Sequence, residues 1–440
     1  MKKSVLLVVA ALLFISVSAQ KFEQLAKTPP MGLNSWNKFG CNVSEVMIMG
    51  IADAMVSSGM KDAGYQYIVI DDCWQVSRDE TGEIVVDKDR FPHGMKYVAD
   101  YVHSKGLKFG IYSCAGSRTC AGRPGGLGHE YQDARTYAAY GVDYLKYDWC
   151  NSSTQEAKSS YANMRDALYK AGRPIVFSLC EWGQNKPWEW ASTVGQLWRT
   201  TGDISDNWNS MIGIFDKQKD LARYAGPSGW NDPDMLEVGN GGMTFEEYKT
   251  HFSLWCMLAA PLLAGNDLAT ITPETKSILM NKEMIAVNQD TLGVQATCYR
   301  DNGDYQIWVK GLSNNEKAIC LLNKGDEKKT VLVDFSLLAQ IRTMNRRFRP
   351  PTSAAGFGGG FGAAAPAAPA PPQPFSAANP PAGAASAAGA QQRPGRPAPL
   401  SLADFTVRDL WDHKDLTLKE TSFYVDLPPH SVKVYRFIKK

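Results

Sequence analysis

The sequence predicts a (β/α)8 TIM barrel followed by a C-terminal antiparallel β-sandwich. Three observations carry this. From about residue 27 to residue 290, eight short apolar, β-rich runs alternate with amphipathic stretches, the pattern of a parallel sheet wrapped by helices. Nearly every run ends in polar or charged residues. After Asp290 the helical stretches give way to short alternating or β-branched runs. No GxGxxG follows the first run, which weighs against the competing doubly wound dinucleotide fold.

Taken in order, the predicted strands span 31–34, 67–72, 108–113, 144–148, 175–181, 196–203, 229–235 and 259–265. Amphipathic stretches at 44–63, 95–105, 130–140, 154–171 and 245–258 supply helices between them. In such a barrel, chemistry sits at the C-terminal ends of the strands. The polar residues fall there: Trp36, Asp71 and Asp72, Tyr112, Lys146 and Asp148, Glu181, Arg199 and Asp203, Asn231 and Asp232, Asn266 and Asp267. Runs at 305–310, 317–322, 330–335, 422–427 and 431–438 predict the β-domain. Between Arg349 and Arg393 no residue is charged, and the tract is rich in Ala, Gly and Pro. It cannot bury enough apolar surface to offset its ordering entropy, so a flexible insertion is expected at about 346–400. The expected division is a leader at 1–19, a barrel at 20–290 and a β-domain at 291–440.

Met1-Lys-Lys, an apolar run over 5–17 and Val17-Ser-Ala19 form a secretory signal pattern. The run is short for a membrane span, and no later segment qualifies. Export to the periplasm or the extracellular space is therefore expected. There the nine cysteines become disulfide candidates, with at least one left over. The formal charge of +2 gives no electrostatic case for nucleic acid or an anionic membrane. Neither Cys/His spacing nor the six His residues suggest a metal site.

The run from Tyr144 to Cys150 is the most informative. Residues two apart on a strand share a face, so Lys146 and Asp148 project together from one strand end. Burying two charges is costly unless they are paired or used. Arg199 and Asp203 repeat the arrangement about 55 residues later. Two carboxylates at different strand ends are what acid and nucleophile chemistry on a glycosidic bond requires. Buried structural ion pairs are the alternative.

Seven ordered motifs then carry a resemblance: Pro30-Met-Gly-Leu-Asn-Ser-Trp36, Ile70-Asp-Asp-Cys-Trp74, Gly110-Ile-Tyr112, Leu145-Lys-Tyr-Asp148, Leu179-Cys-Glu-Trp-Gly183, Trp198-Arg199 with Asp203, and Gly229-Trp-Asn-Asp-Pro-Asp-Met235. Together they closely resemble the α-galactosidases of glycoside hydrolase family 27, more weakly continued by Arg408-Asp-Leu-Trp-Asp-His413. The resemblance implies a retaining, two-step removal of terminal α-D-galactose from oligosaccharides or polysaccharides. Asp148 would be the nucleophile and Asp203 the general acid/base. Trp36, Asp71, Asp72, Tyr112, Cys120, Lys146, Glu181, Trp182 and Arg199 would bind the sugar. Trp36 would give an apolar wall, Asp71 and Asp72 would clamp the C4 and C6 hydroxyls, and Glu181 would face C2. Arg199 is expected to point at the sugar, away from Asp203. The resemblance also implies disulfides Cys41–Cys73 and Cys120–Cys150 and no metal or organic cofactor; the partner the family usually gives Cys180, near Gly195, is missing from this chain, so Cys180 is expected to be free.

Bland readings stand beside these. Trp36 fits a core, Asp71 a helix cap, Glu181 an ion-pair partner of Arg199, and Tyr112 the barrel interior. Asp232 and Asp234 read as structural. A β-L-arabinopyranosidase and a non-catalytic sugar-binding protein are the competing functions.

Overall fold

In the computed structural model, which describes residues 21–334, 404–417 and 422–440, all eight predicted barrel runs enter one parallel sheet. Its strands are β1 Met31–Asn34, β2 Tyr67–Val69, β3 Lys108–Cys114, β4 Tyr144–Asp148, β5 Val176–Cys180, β6 Leu197–Arg199, β7 Trp230–Asp232 and β8 Leu262–Ala264. Each pairs with its sequence neighbours up to β7, and β8 pairs onto β1. The ring closes just past β7, where Leu236 bridges Ala264 and exchanges backbone hydrogen bonds with Leu263 and Gly265. The expected leader and the expected insertion lie outside the described residues.

The outer helices are α1 Glu45–Ser57, α2 Met95–Ser104, α3 Glu130–Tyr140, α4 Ala157–Ala171, α5 Trp208–Asp216, α6 Phe245–Leu258, α7 Pro273–Leu279 and α8 Lys282–Asn288. Between β5 and β6, two short 3-10 turns at Pro187–Glu189 and Ala191–Thr193 replace a helix. A hairpin of Gln75–Arg78 and Ile84–Val86, not anticipated from the sequence, follows β2. The predicted strand at 259–265 shortens because Ala259 caps α6 in a left-handed conformation.

Period-two alternation builds the barrel interior. Tyr67, Val69, Tyr144, Val176, Leu197, Trp230 and Leu263 form an apolar cluster inside the ring, which Met235 joins. Tyr67 and Tyr144 meet there with ring centroids 5.5 Å apart. Gly32 makes this possible, since a Cβ at that position would lie 2.3 Å from the Tyr67 carbonyl oxygen. Further along the same strands and faces, Lys146 follows Tyr144 and Arg199 follows Leu197. The interior is thus apolar toward its base and charged at its mouth. Residues of the opposite phase, such as Tyr147, pack outward against Tyr161 of α4 and Phe177.

The second domain contains β9 Thr297–Asp301, β10 Tyr305–Gly311, β11 Lys317–Asn323, β12 Lys329–Asp334, β13 Phe405–Asp409, β14 Lys414–Leu416, β15 Ser422–Leu427 and β16 Val432–Lys439. Six strands form an antiparallel sheet in the order β9-β10-β11-β16-β13-β14, and β12 pairs with β15. Ile307, Val309, Ile319 and Leu321 of the large sheet meet Val331, Val333, Val425 and Leu427 of the small one, giving the sandwich core. The alternate residues Trp308, Ala318, Cys320 and Leu322 face the barrel core. Strands β10 and β11 are therefore buried on both sides, and Lys310 lies on the barrel-facing side with its ammonium 3.0 Å from the Cys256 carbonyl of α6.

Candidate active site

The strand ends converge on a small pocket at the mouth of the barrel. Of the residues anticipated from the sequence, it is lined by Trp36, Asp71, Asp72, Tyr112, Cys120, Lys146, Asp148, Arg199 and Asp203. Asn37, Asp234 and Met235 complete the lining. Asn37 follows an anticipated motif without having been marked itself, Met235 closes the last of the seven motifs, and Asp234 had been read as purely structural.

Asp71 is nearly fully buried. Its Oδ2 accepts from Asn34 Nδ2 at 2.7 Å and from Lys146 Nζ at 2.8 Å, and its Oδ1 accepts from the Asp72 N–H. Asp72 accepts from the N–H groups of Cys73 and Ala121. Two carboxylates are thus fixed in place with lone pairs still free to accept hydroxyls. Burial raises the pKa of Asp72 against these hydrogen bonds. The Lys146 ammonium also lies over the Tyr112 ring, 5.3 Å from its centroid. Tyr112 directs its hydroxyl at Cys120 Sγ, 3.3 Å away.

Disulfides join Cys41 to Cys73 and Cys120 to Cys150. The sulfurs of Cys120 and Cys150 and a carboxylate oxygen of Asp148 lie within 4.8 Å of one another. The bonded sulfurs are not metal ligands, so this cluster is a packing contact. Cys180 is free and buried. Gly195 leaves no room for a side chain, since a Cβ there would fall 2.2 Å from Leu179 Cδ1.

Two expectations about charge change in three dimensions. Lys146 and Asp148 share a strand face but do not pair: the Lys146 hydrogen bond goes to Asp71. Burial pushes Asp148 up to about 6, against the pull of Lys146 and of the Trp149 N–H, which donates at 2.8 Å. Arg199 was expected to leave Asp203 alone. Instead its guanidinium bridges two carboxylates, with Nη2 3.0 Å from Asp203 and Nη1 3.0 Å from Asp234. The reason is local: β6 ends at Arg199, and residues 200–203 turn back over it, so Asp203 lands beside the group four residues earlier. Partial burial raises the Asp203 pKa, but Arg199, aided by Lys146, outweighs it and holds the carboxyl below its ordinary value. The Asp203 side chain is 72% exposed at the mouth, and Arg199 is 4% exposed beneath it.

Glu181 and Trp182 do not line the pocket. Glu181 is fully buried, and its Oε2 accepts from the N–H and the side-chain amide of Asn185. It makes no ion pair with Arg199 among the described contacts. Trp182 lines an outer cleft that shares Cys120 with the pocket. Cys73, Trp182 and Asp234 all have positive φ, at 80°, 59° and 87°. Non-glycine residues held this way cost on the order of 1–3 kcal/mol each and cluster where a site over-determines the backbone.

A (β/α)8 barrel whose mouth gathers two exposed-to-pocket carboxylates, fixed hydroxyl acceptors and an indole wall around space for one ring defines a glycoside hydrolase. Comparison with known proteins agrees. Residues 28–290 match the family described as alpha galactosidase A, and residues 385–437 match the alpha galactosidase C-terminal beta sandwich domain. Alpha-galactosidase A of Cellvibrio japonicus is 58% identical over 341 residues, covering 75% of this chain and 84% of that protein. The crystal structure of α-galactosidase I from Mortierella vinacea superposes with a TM-score of 0.79 at 37% identity, covering 95% of this chain and 98% of that one. A β-L-arabinopyranosidase from Geobacillus stearothermophilus shares the fold at TM-score 0.74 and 23% identity, covering 94% of this chain and 97% of that one. The chain belongs to the α-galactosidase family, glycoside hydrolase family 27.

Proposed function

We propose that the pocket removes terminal, non-reducing α-linked galactose from oligosaccharides or polysaccharides by double displacement. Asp148 attacks the anomeric carbon as the glycosidic C–O bond breaks, and Asp203 gives its proton to the departing oxygen. Asp203, now a base, takes a proton from water, whose oxygen attacks the same carbon and releases Asp148. The observation that carries this reading is that both carboxylates line one ring-sized pocket beside the Asp71–Lys146–Asn34 clamp. Asp71 and Asp72 are placed to accept from ring hydroxyls. An epimer that leaves such buried acceptors unpaired is rejected by up to roughly 10⁴-fold.

In the empty site the two acids stand in the reverse order from their roles. Burial favours a proton on Asp148, whose carboxyl is pushed up to about 6, while Arg199 holds Asp203 ionised. Sugar binding shifts this balance. A ring over Asp203 displaces the water that solvates its charge and raises its pKa, while hydroxyls donating to Asp148 lower that of the nucleophile. Transfer of the proton to Asp203 thus becomes part of recognition.

Two disulfides and the N-terminal pattern support export into an oxidising compartment. Among the described residues no helix is long and apolar enough to cross a membrane. The mechanism is tested with a slow α-galactosyl fluorosugar, which is expected to leave an adduct on the peptide containing Asp148. An adduct on Asp203 or Glu181 would reassign the roles.

A further inference from the structure

A second recess lies at the other end of the barrel, where the strands begin. Residues 24–31 lead into β1 across this base, and the starts of β2 and β3 face them. The side chains of Gln24, Lys27, Thr28, Gln66, Tyr67 and Lys108 line the cavity. Among the described residues no carboxylate lines it, and neither lysine forms an ion pair. Two like charges on one recess repel each other, and a bound anion turns that repulsion into attraction.

The walls of this cavity are fixed by hydrogen bonds of their own. The Trp230 indole N–H donates to the Ala26 carbonyl and the Gln289 amide to the Pro29 carbonyl, each at 2.8 Å. These bonds pin the backbone on both sides of Lys27 and Thr28. The Gln66 N–H donates to the Met31 carbonyl at 2.9 Å, and the Lys108 N–H to the Gln66 carbonyl at 2.7 Å. The three walls thus share one frame. The Lys108 ammonium lies over the Tyr67 ring, 5.0 Å from its centroid, and donates to the phenol oxygen at 3.4 Å. The phenol keeps its own proton for an acceptor, since burial pushes its pKa up to about 12. Asp143, whose charge also acts on Tyr67, does not line the cavity and is held by Arg173 at 2.6 Å and by His103 at 2.7 Å.

We propose that this cavity binds a small oxyanion of the phosphate class, free or as the end group of a phosphate ester. Such a group carries about two charges and several acceptor oxygens. That suits two ammonium groups, a phenol proton and the carboxamide N–H groups of Gln24 and Gln66. A carboxylate answers only one of the two lysines, and a neutral sugar answers neither. A frame already in place keeps the cost of ordering the site low. The site is at the opposite end of the barrel from Asp148 and Asp203 and stands independently of the reaction proposed for them.

The test is calorimetric titration with inorganic phosphate at constant ionic strength. It compares the wild type with Lys27→Ala/Lys108→Ala and with Lys158→Ala/Lys217→Ala, which removes the same charge from exposed positions elsewhere. The wild type should bind one phosphate with a Kd on the order of 1 mM or tighter. Loss of two charged donors predicts a Kd weaker by roughly a hundredfold or more in the first variant and no change in the second. Gln66→Glu, which places a carboxylate on the rim, should also abolish binding, and all three variants should turn over nitrophenyl galactoside as the wild type does. A hexose 6-phosphate binding more tightly than phosphate would identify the ester as the ligand, and weaker binding would identify the free anion. No saturable binding to the wild type overturns the proposal. So does binding that survives loss of both Lys27 and Lys108, or that falls equally in the Lys158/Lys217 variant.

Discussion

Lys310 offers a quantitative test of how the two domains pack. It is 1% exposed on β10, between the large sheet and α6. Burial lowers its pKa from 10.5 to about 7, and Cys256 and Asp290 compensate only in part. The unfolded chain keeps this ammonium protonated up to about pH 10.5, whereas the folded chain releases the proton near 7. Between those values the unfolded state binds more protons, so stability rises with pH, by about 1.4 kcal/mol per unit. Below pH 7 both states are protonated and the full penalty, on the order of 4–5 kcal/mol, is present. Lys310→Met removes the penalty but leaves the Cys256 carbonyl without its donor, at a cost of about 1–2 kcal/mol. The Met variant should therefore be more stable by roughly 3 kcal/mol at pH 6, with the difference shrinking toward zero by pH 9. Urea unfolding of both proteins at pH 6, 7.5 and 9 measures this. Parallel pH dependence, or a Met variant less stable at pH 6, would refute the reasoning.

Four further outcomes follow from the site. Asp148→Asn should lose roughly 10⁴-fold or more in kcat while its thermal midpoint stays within a few degrees of the wild type, checked on nitrophenyl galactoside and by calorimetry. Asp203→Ala should cost roughly 10²–10⁴-fold on substrates with poor leaving groups and far less on activated aryl galactosides, because those need little protonation. Equal losses on the two would show that Asp203 is not the acid. In the wild type, kcat/KM should fall on the basic side from near pH 6, where the pair gives up its last proton, and the basic limb of kcat should lie higher, since bound sugar desolvates Asp203. Asp234→Asn keeps an acceptor for the Ile204 N–H, which now donates to Asp234 at 2.8 Å. It frees the Arg199 charge for Asp203, so the basic limb of kcat, which reports Asp203 in the sugar-bound enzyme, should move down; a uniform loss at every pH would mean Asp234 merely supports the loop.

Much of this enzyme was legible in its chain. Eight apolar runs ending in polar residues determined the barrel and which end carries chemistry, because a parallel strand buried on both faces has to be apolar and its charges can only gather at the rim. Lys146 and Asp148 shared a face by period two alone, and the ordered motifs led to the family. The short hairpin after β2, and the strands β9, β13 and β14, carried too little periodicity to be seen. What only the tertiary structure decided was which charges touch. Lys146 binds Asp71, which is 75 positions away in sequence, and Arg199 joins Asp203 to Asp234. Trp182 turned out to face a separate cleft. Coulomb energy and desolvation depend on distances of a few ångströms across different strands, and a sequence orders residues along one strand while leaving those distances to the closure of the barrel.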